Sequence, residues 1–306
     1  MNIKRGISAG VAGLGALAAS NELLRRRAEP LEPPLSGSQE TFQWHDTAVR
    51  YVTAGNPSSQ TVVLLHGLNA AGSSGEFRQI FDQLAEKYHV VAPDLPGFGM
   101  SDRPKLRYSA AYYESFVEAF LKQYADPVVI ASSLTTGFTA EALQTVSSSE
   151  FIAICPTDTT APQQRTVVRE LLYAPLIGRA LFNLLTAKFA IRYFNADHGY
   201  YDTENVSESW IEYEWQTAHQ PNARFAPASF ISGFLNSDVS LKQSLIDIDV
   251  PTTLIWGRDA ELTPLSNGRE LAEATGSRLV VFDAAKLLPH VEFPEKFIQA
   301  IDEALR

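Results

Sequence analysis

A serine placed on a sharp strand-to-helix turn can act as a nucleophile, provided a base stands ready to take its proton. The stretch ADPVVIASSLTTGF, residues 125–138, has that form. Val128, Val129 and Ile130 are β-branched and bounded by Pro127, so they read as the end of a buried strand. Small residues follow, and TTGFTAEALQTV then runs on as a helix, predicted over 137–147. Ser133 is therefore the candidate nucleophile, and acyl transfer is the chemistry it could perform. Cys155 is the single cysteine and sits in the apolar run FIAIC, where a buried, inert thiol is expected. It also excludes an intrachain disulfide and a zinc site built of several thiolates. The six histidines are scattered without ligand spacing. No metal and no cofactor are expected.

The elements that must position Ser133 follow from the hydrophobic pattern. TFQWHDTAVRYVTAG reads as two strands joined by a tight turn. TVVLLHG (61–67) and HVVAPDLPG (89–97) are continuous apolar runs, suited to strands covered on both faces. Between them, Ser73 stands three residues before Glu76, a capping-box spacing that predicts one helix through Tyr88. Tyr113, Phe116, Val117, Phe120 and Leu121 share one face of a further helix. After FIAIC the alternation is interrupted, then resumes with PTTLIWG, a helix near 265–275, RLVVFD and a helix over 294–305. Strands alternating with amphipathic helices predict an α/β protein with a mostly parallel sheet and helices on both faces. The interruption, about 157–240, is helical in pattern and dense in aromatic residues, which reads as a lid inserted over the strand ends.

Composition bounds the partners. The chain has 306 residues, 45% of them hydrophobic, and a net charge of −10. It can bury one large core, and its acidic balance argues against nucleic acid as a partner. Residues 1–38 form a separate segment: a small-residue apolar run from Ile7 to Ala19 with basic flanks, then the proline-rich tether AEPLEPPLSGS. The run resembles a short signal sequence, falls short of the ~20 residues of a membrane span, and suits a shallow membrane anchor or a helix lying on the domain. The expected location is cytoplasmic, with membrane association through residues 7–19 as the variant to test. The GLGALA within the run matches a dinucleotide fingerprint, but no strand precedes it and the match is rejected. The folded domain is expected from about Thr41 to the end of the chain.

The order of motifs carries more. HGLNA follows the third strand, DLPGFGMSDRP the fourth, and Ala131-Ser132-Ser133-Leu134-Thr135 the fifth, with PTTLIWG and PHVEFPEKF towards the end. Together these resemble the α/β-hydrolase superfamily from about residue 41 to 306, in its lid-containing serine-hydrolase form. The elbow has alanine and threonine where the usual G-x-S-x-G form has glycines. The resemblance implies that Ser133 is the nucleophile and that the N–H groups of Leu68 and Leu134 form the oxyanion hole. It makes His66 a structural support of its loop and lets Asn69 line the site. The family's acid position holds Ala260, with Asp259 and Glu261 on either side. The position of its catalytic histidine holds Leu287, so the triad is degenerate. Lys286, one residue away, His290, the family's second histidine, and His198 in NADHGYY are the candidate replacements.

Two readings of function follow. One is a serine hydrolase acting on a small, apolar ester or acyl compound through Ser133 and a non-standard base. The other is a non-catalytic hydrolase-like protein that binds an apolar ligand or a partner. Oligomeric state and substrate identity are beyond the sequence.

Overall fold

Strands whose residues are buried on both faces cannot face water on either side, and the sheet is built around them. The computed structural model describes residues 3–305, with side chains from Gly15 onward. Eight strands form one sheet in the order β1-β2-β4-β3-β5-β6-β7-β8. They are β1 (Ser38–Trp44), β2 (Thr47–Ala54), β3 (Thr61–Leu65), β4 (His89–Pro93), β5 (Val128–Ser132), β6 (Glu150–Ile154), β7 (Thr252–Gly257) and β8 (Arg278–Phe282). β1 and β2 are an antiparallel hairpin turning at His45, whose φ is +50°. β2 meets β4 antiparallel, and every later pairing is parallel.

The helices are α1 (Ile3–Arg27), α2 (Phe81–Ala85), α3 (Ala110–Leu121), α4 (Thr135–Ala142), α5 (Thr166–Tyr173), α6 (Ile177–Leu185), α7 (Lys188–Phe194), α8 (Glu208–Ala218), α9 (Phe225–Ile231), α10 (Leu241–Asp247), α11 (Leu265–Thr275), α12 (Pro289–Glu292) and α13 (Pro294–Ala304). One face of the sheet packs on α3 and α4: Phe116 and Phe120 meet Val63, Val129 and Phe138 in one buried cluster. The other face packs on α2 and α13, where Phe81, Phe282, Phe297 and Ile301 close a second cluster. The five residues predicted for one face of α3 are all fully buried.

Three expectations need correction. The chain from Ser73 to Tyr88 is not one capped helix: a 3₁₀ turn, Ser74–Phe77, precedes the short α2. The Ser73 hydroxyl makes no capping bond: the Glu76 N–H donates to the Ser73 carbonyl at 3.1 Å, and the Glu76 side chain accepts from Gly67. The sheet begins at Ser38, three residues before the predicted start. Helix α4 begins at Thr135, immediately past Leu134, and ends at Ala142, five residues short of the predicted end. Between β6 and β7 the chain is helical, from α5 to α10, with a π-helical turn at Asn195–Gly199.

Helix α1 packs against α6 through its C-terminal half. Asn21 is buried and donates to the Leu176 carbonyl at 3.0 Å, while its own oxygen accepts from Asn183. Among the described residues no helix is long and apolar enough to cross a membrane.

Candidate active site

Ser133 sits where β5 turns into α4, with a φ of +52°. A non-glycine residue in the left-handed region is strained by about 1–3 kcal/mol, and such strain clusters at functional turns. The turn is held open by bonds on both sides. The Ser133 N–H donates to the Ile154 carbonyl at 2.9 Å, and its carbonyl accepts from the Thr136 N–H at 3.1 Å. Thr135, standing where the family pattern has glycine, donates its hydroxyl to the His66 carbonyl at 2.7 Å. The substitution therefore fastens the elbow to the loop after β3.

That loop is fixed from several directions. The His66 ring is fully buried, 2.8 Å from the Gly67 carbonyl through Nδ1, and accepts the Leu95 N–H at Nε2. Asn69 accepts the Ala71 N–H at 2.7 Å and is exposed. Among the described residues the amide nitrogens of Leu68 and Leu134 donate to no protein acceptor. Free N–H groups on either side of a serine elbow are what an oxyanion would need. The segment DLPGFGMSD is scaffolding. Asp94 accepts the N–H groups of Ser74 and Met100 at 2.6 and 2.7 Å. A Cβ at Gly99, where φ is +48°, would collide with the Asp94 carboxylate.

Behind the elbow lies a buried carboxylate at the position that the capping-box spacing assigns to a helix start. Glu76 Oε2 accepts the Gly67 N–H at 2.8 Å, and Oε1 lies 3.3 Å from His290 Nε2. A Cβ on Gly67 would fall 3.2 Å from both Glu76 Oε2 and Ser132 Oγ, and 3.4 Å from Ser133 Cβ. A side chain at this position would crowd the Glu76 and Ser132 oxygens, which would have to give way by a few tenths of an ångström. Burial pushes the Glu76 carboxyl up, but the imidazole of His290 close beside it, with the Ser132 hydroxyl, outweighs this and holds Glu76 below the usual carboxylate range. The signal that could have found this residue is an acid nine residues after an HG step, inside an otherwise apolar helix pattern.

The remaining candidates are placed as follows. Leu287 is packed beside Trp256, Ala260 and Leu265 in an apolar cluster. Ala260 is 2% exposed. Asp259 and Glu261, together with Ala260, Lys286 and Tyr201, line an open depression of about 490 Å³ that Ser133 does not line. The Lys286 ammonium donates to the carbonyls of Ala196 and Asp197, at 2.8 and 3.0 Å, in the π-helical turn. His290 is wholly buried against Phe77 and Phe297. His198 pairs with Asp197 at 3.1 Å. Among the described residues Ser133 Oγ has no side-chain hydrogen-bond partner. Cys155 is buried, and burial pushes its thiol up to about 12, so it stays protonated.

Among the described residues no group of three or more histidine, cysteine or carboxylate side chains could hold a metal ion.

Proteins of known sequence and structure resemble this chain over most of its length. A hydrolase of Saccharomyces cerevisiae is 44% identical over 57 residues, a stretch covering 19% of either protein. The pimeloyl-[acyl-carrier protein] methyl ester esterase of Aeromonas salmonicida is 28% identical over 254 residues, 78% of this chain and 93% of the esterase. A crystal structure of a membrane phospholipase A superposes with a TM-score of 0.69 at 20% identity, covering 99% of this chain and 95% of that one. The family model of the alpha/beta hydrolases matches residues 62–300, and this chain belongs to that family.

Proposed function

We propose that this protein is a hydrolase-fold binder of small apolar esters or acyl compounds, in which Ser133 marks the ligand site but is not turned over as a serine hydrolase. The observation that carries this reading is that each candidate base is committed elsewhere. Lys286 is held by two carbonyls, His290 faces Glu76, His198 pairs with Asp197, and the histidine position is a leucine packed among apolar side chains. A serine hydroxyl without a proton acceptor is a weak nucleophile. Loss of the histidine from a serine triad costs ~10⁶ in kcat, leaving ~10³–10⁴ over water. In this reading α5–α10 form the lid over the site, and the leucine makes that site drier than a triad would.

The test is labelling with a fluorophosphonate probe, with the fluorescence of Ser133→Ala as background. The expected result is no labelling of the folded wild type above that background, together with calorimetric binding of an apolar acyl ester such as methyl hexanoate. The double variant Leu287→His, Ala260→Asp restores the missing positions and is expected to gain labelling and hydrolysis of p-nitrophenyl butyrate. Strong wild-type labelling, abolished by Ser133→Ala, would overturn the reading.

A second reading keeps Ser133 as an active nucleophile, and the strained elbow with its two free amides favours it. The Aeromonas relative is named as an esterase, which agrees with this chemistry. Lys286 would then have to leave the carbonyls of the π-helical turn and act with a depressed pKa. Labelling lost in both Ser133→Ala and Lys286→Ala would identify that case.

A further inference from the structure

Three consecutive helices of the segment between β6 and β7 each turn apolar side chains into water. In α5 they are Val167, 80% exposed, and Leu171. Helix α6 buries Gly178 and Phe182 on one side yet leaves Ile177, Leu184 and Leu185 outside. Helix α7 buries Ile191 and exposes Phe189 and Tyr193 at 65% and 60%. Pairs spaced by four residues lie on one face of a helix. Helix α5 packs on α6, and α6 on α7, so the exposed side chains belong to adjoining elements. A soluble protein has no reason of folding to place this much aliphatic and aromatic surface on one group of helices.

The charge distribution is equally uneven. The whole chain carries −10, yet residues 161–194 hold five basic side chains and one acidic, Glu170. Residues 1–27 hold five basic side chains against Glu22 alone. Lys188 and Arg192 pair at the surface with Glu212 and Glu208 of α8. Arg27, Arg165 and Arg179 form no ion pair among the described residues. Helix α1 packs on α6, and its run from Ile7 to Ala19 contains no charged residue. It is bracketed by Lys4 and Arg5 at one end and Arg25–Arg27 at the other. Because α1, though 25 residues long, is not apolar enough to cross a membrane, an apolar run with basic ends would lie in an interface.

We propose that the outer face of α5, α6 and α7, with α1 alongside, docks on an anionic lipid bilayer. The exposed leucines, Phe189 and Tyr193 would enter the headgroup–acyl boundary, and the unpaired arginines would face lipid phosphates. A protein partner would be expected to meet this surface with acidic groups set between apolar ones. A bilayer needs only the coarse combination of apolar area and positive charge that the helices supply. The acidic remainder of the molecule would then point away from the membrane, which orients the bound protein. This proposal is independent of whether Ser133 is active.

Sedimentation of the full chain with vesicles tests it. Vesicles of phosphatidylcholine alone are compared with vesicles containing one quarter phosphatidylglycerol. The protein is expected to pellet with the anionic vesicles and to be released in part by 0.5 M sodium chloride. The triple variant Val167→Ser, Leu184→Ser, Phe189→Ser alters only exposed positions, and a matching thermal midpoint confirms that it folds. Its partition is expected to fall about tenfold, since binding scales with buried apolar area. Protein left in the supernatant with anionic vesicles, or binding unchanged in the triple variant, overturns the proposal. So does a dimer in light scattering that the triple variant abolishes while vesicles are ignored, because the face would then meet a second copy of this chain.

Discussion

At the scale of residues, the proposed site turns on Ser133 and on the residues that stand where its partners were expected. Leu287 and Ala260 carry no titratable group, and both are absorbed into apolar packing. The buried Glu76 joins the loop after β3 to His290, so the polar network of this site lies behind the elbow. Removing one member of a buried, charge-bearing pair costs about 3–5 kcal/mol, because the other is left without a partner. Glu76→Gln keeps an acceptor for the Gly67 N–H but loses the charge facing His290, and is expected to lower stability in urea unfolding at pH 7 by an amount of that order. The pH dependence follows from the direction in which Glu76 is displaced. Glu76 is held below its unfolded value of 4.5, so its contribution is present above that value and is lost as pH falls through the lower folded one. Wild type is expected to show an acid limb in its stability curve that Glu76→Gln flattens. An unchanged limb would show that other carboxylates set it.

At the scale of elements, the π-helical turn at Asn195–Gly199 connects the helical segment to the loop before α12. Its carbonyls hold Lys286, and the Tyr201 and Asp202 N–H groups beyond it donate to Glu292 at 3.0 and 2.9 Å. On its other side Asn195 donates to Glu214 of α8 at 2.6 Å. Burial pushes the Glu214 carboxyl up to about 7, against weaker pulls from Asn195 and Arg78. A raised carboxyl contributes stability below its unfolded value of 4.5 and loses it as pH rises through about 7. Ionising Glu214 at alkaline pH therefore loosens the contact between α8 and the π-helical turn. Glu214→Gln is expected to raise the melting temperature at pH 8.5 and to leave it nearly unchanged at pH 5. The gain at the higher pH is at most roughly 3 kcal/mol, because each tenfold change in a protonation equilibrium is worth about 1.4 kcal/mol. Equal melting temperatures of the two proteins at pH 8.5 would remove Glu214 as the responsive group.

At the scale of the whole molecule, stability rests on the two layers that sandwich the sheet. Phe116 is fully buried, and its ring meets Trp44 edge-on at 5.3 Å. It links α3 to β1, which otherwise has only β2 as a strand neighbour. Phe116→Ala is expected to cost about 3–5 kcal/mol in denaturant unfolding, through lost burial and the cavity left behind. A loss below about 1 kcal/mol would show that α3 collapses into the space. Such a destabilised variant should keep any ligand binding in the cold, since Phe116 packs on Trp44 of β1 and is not part of the elbow.

The sequence alone determined the alternation of strands and helices, the place of Ser133 on a tight turn and the absence of a histidine at position 287. Each of these depends on local residue type or on spacing along the chain. Continuous apolar runs must be covered on both faces, and a missing side chain is missing in any fold. Tertiary structure decided where Glu76 points. A carboxylate at a capping-box position can bond to its own helix or to a distant loop, and only the converging Gly67 N–H and His290 select the second. It also decided the state of Lys286, whose partners are carbonyls about ninety residues away in the chain. The exposed apolar face of α5–α7 was equally hidden, because leucines at helical spacing read as core until the packing leaves them outside. Periodicity reports which residues share a face, and only the assembled neighbours report whether that face is covered.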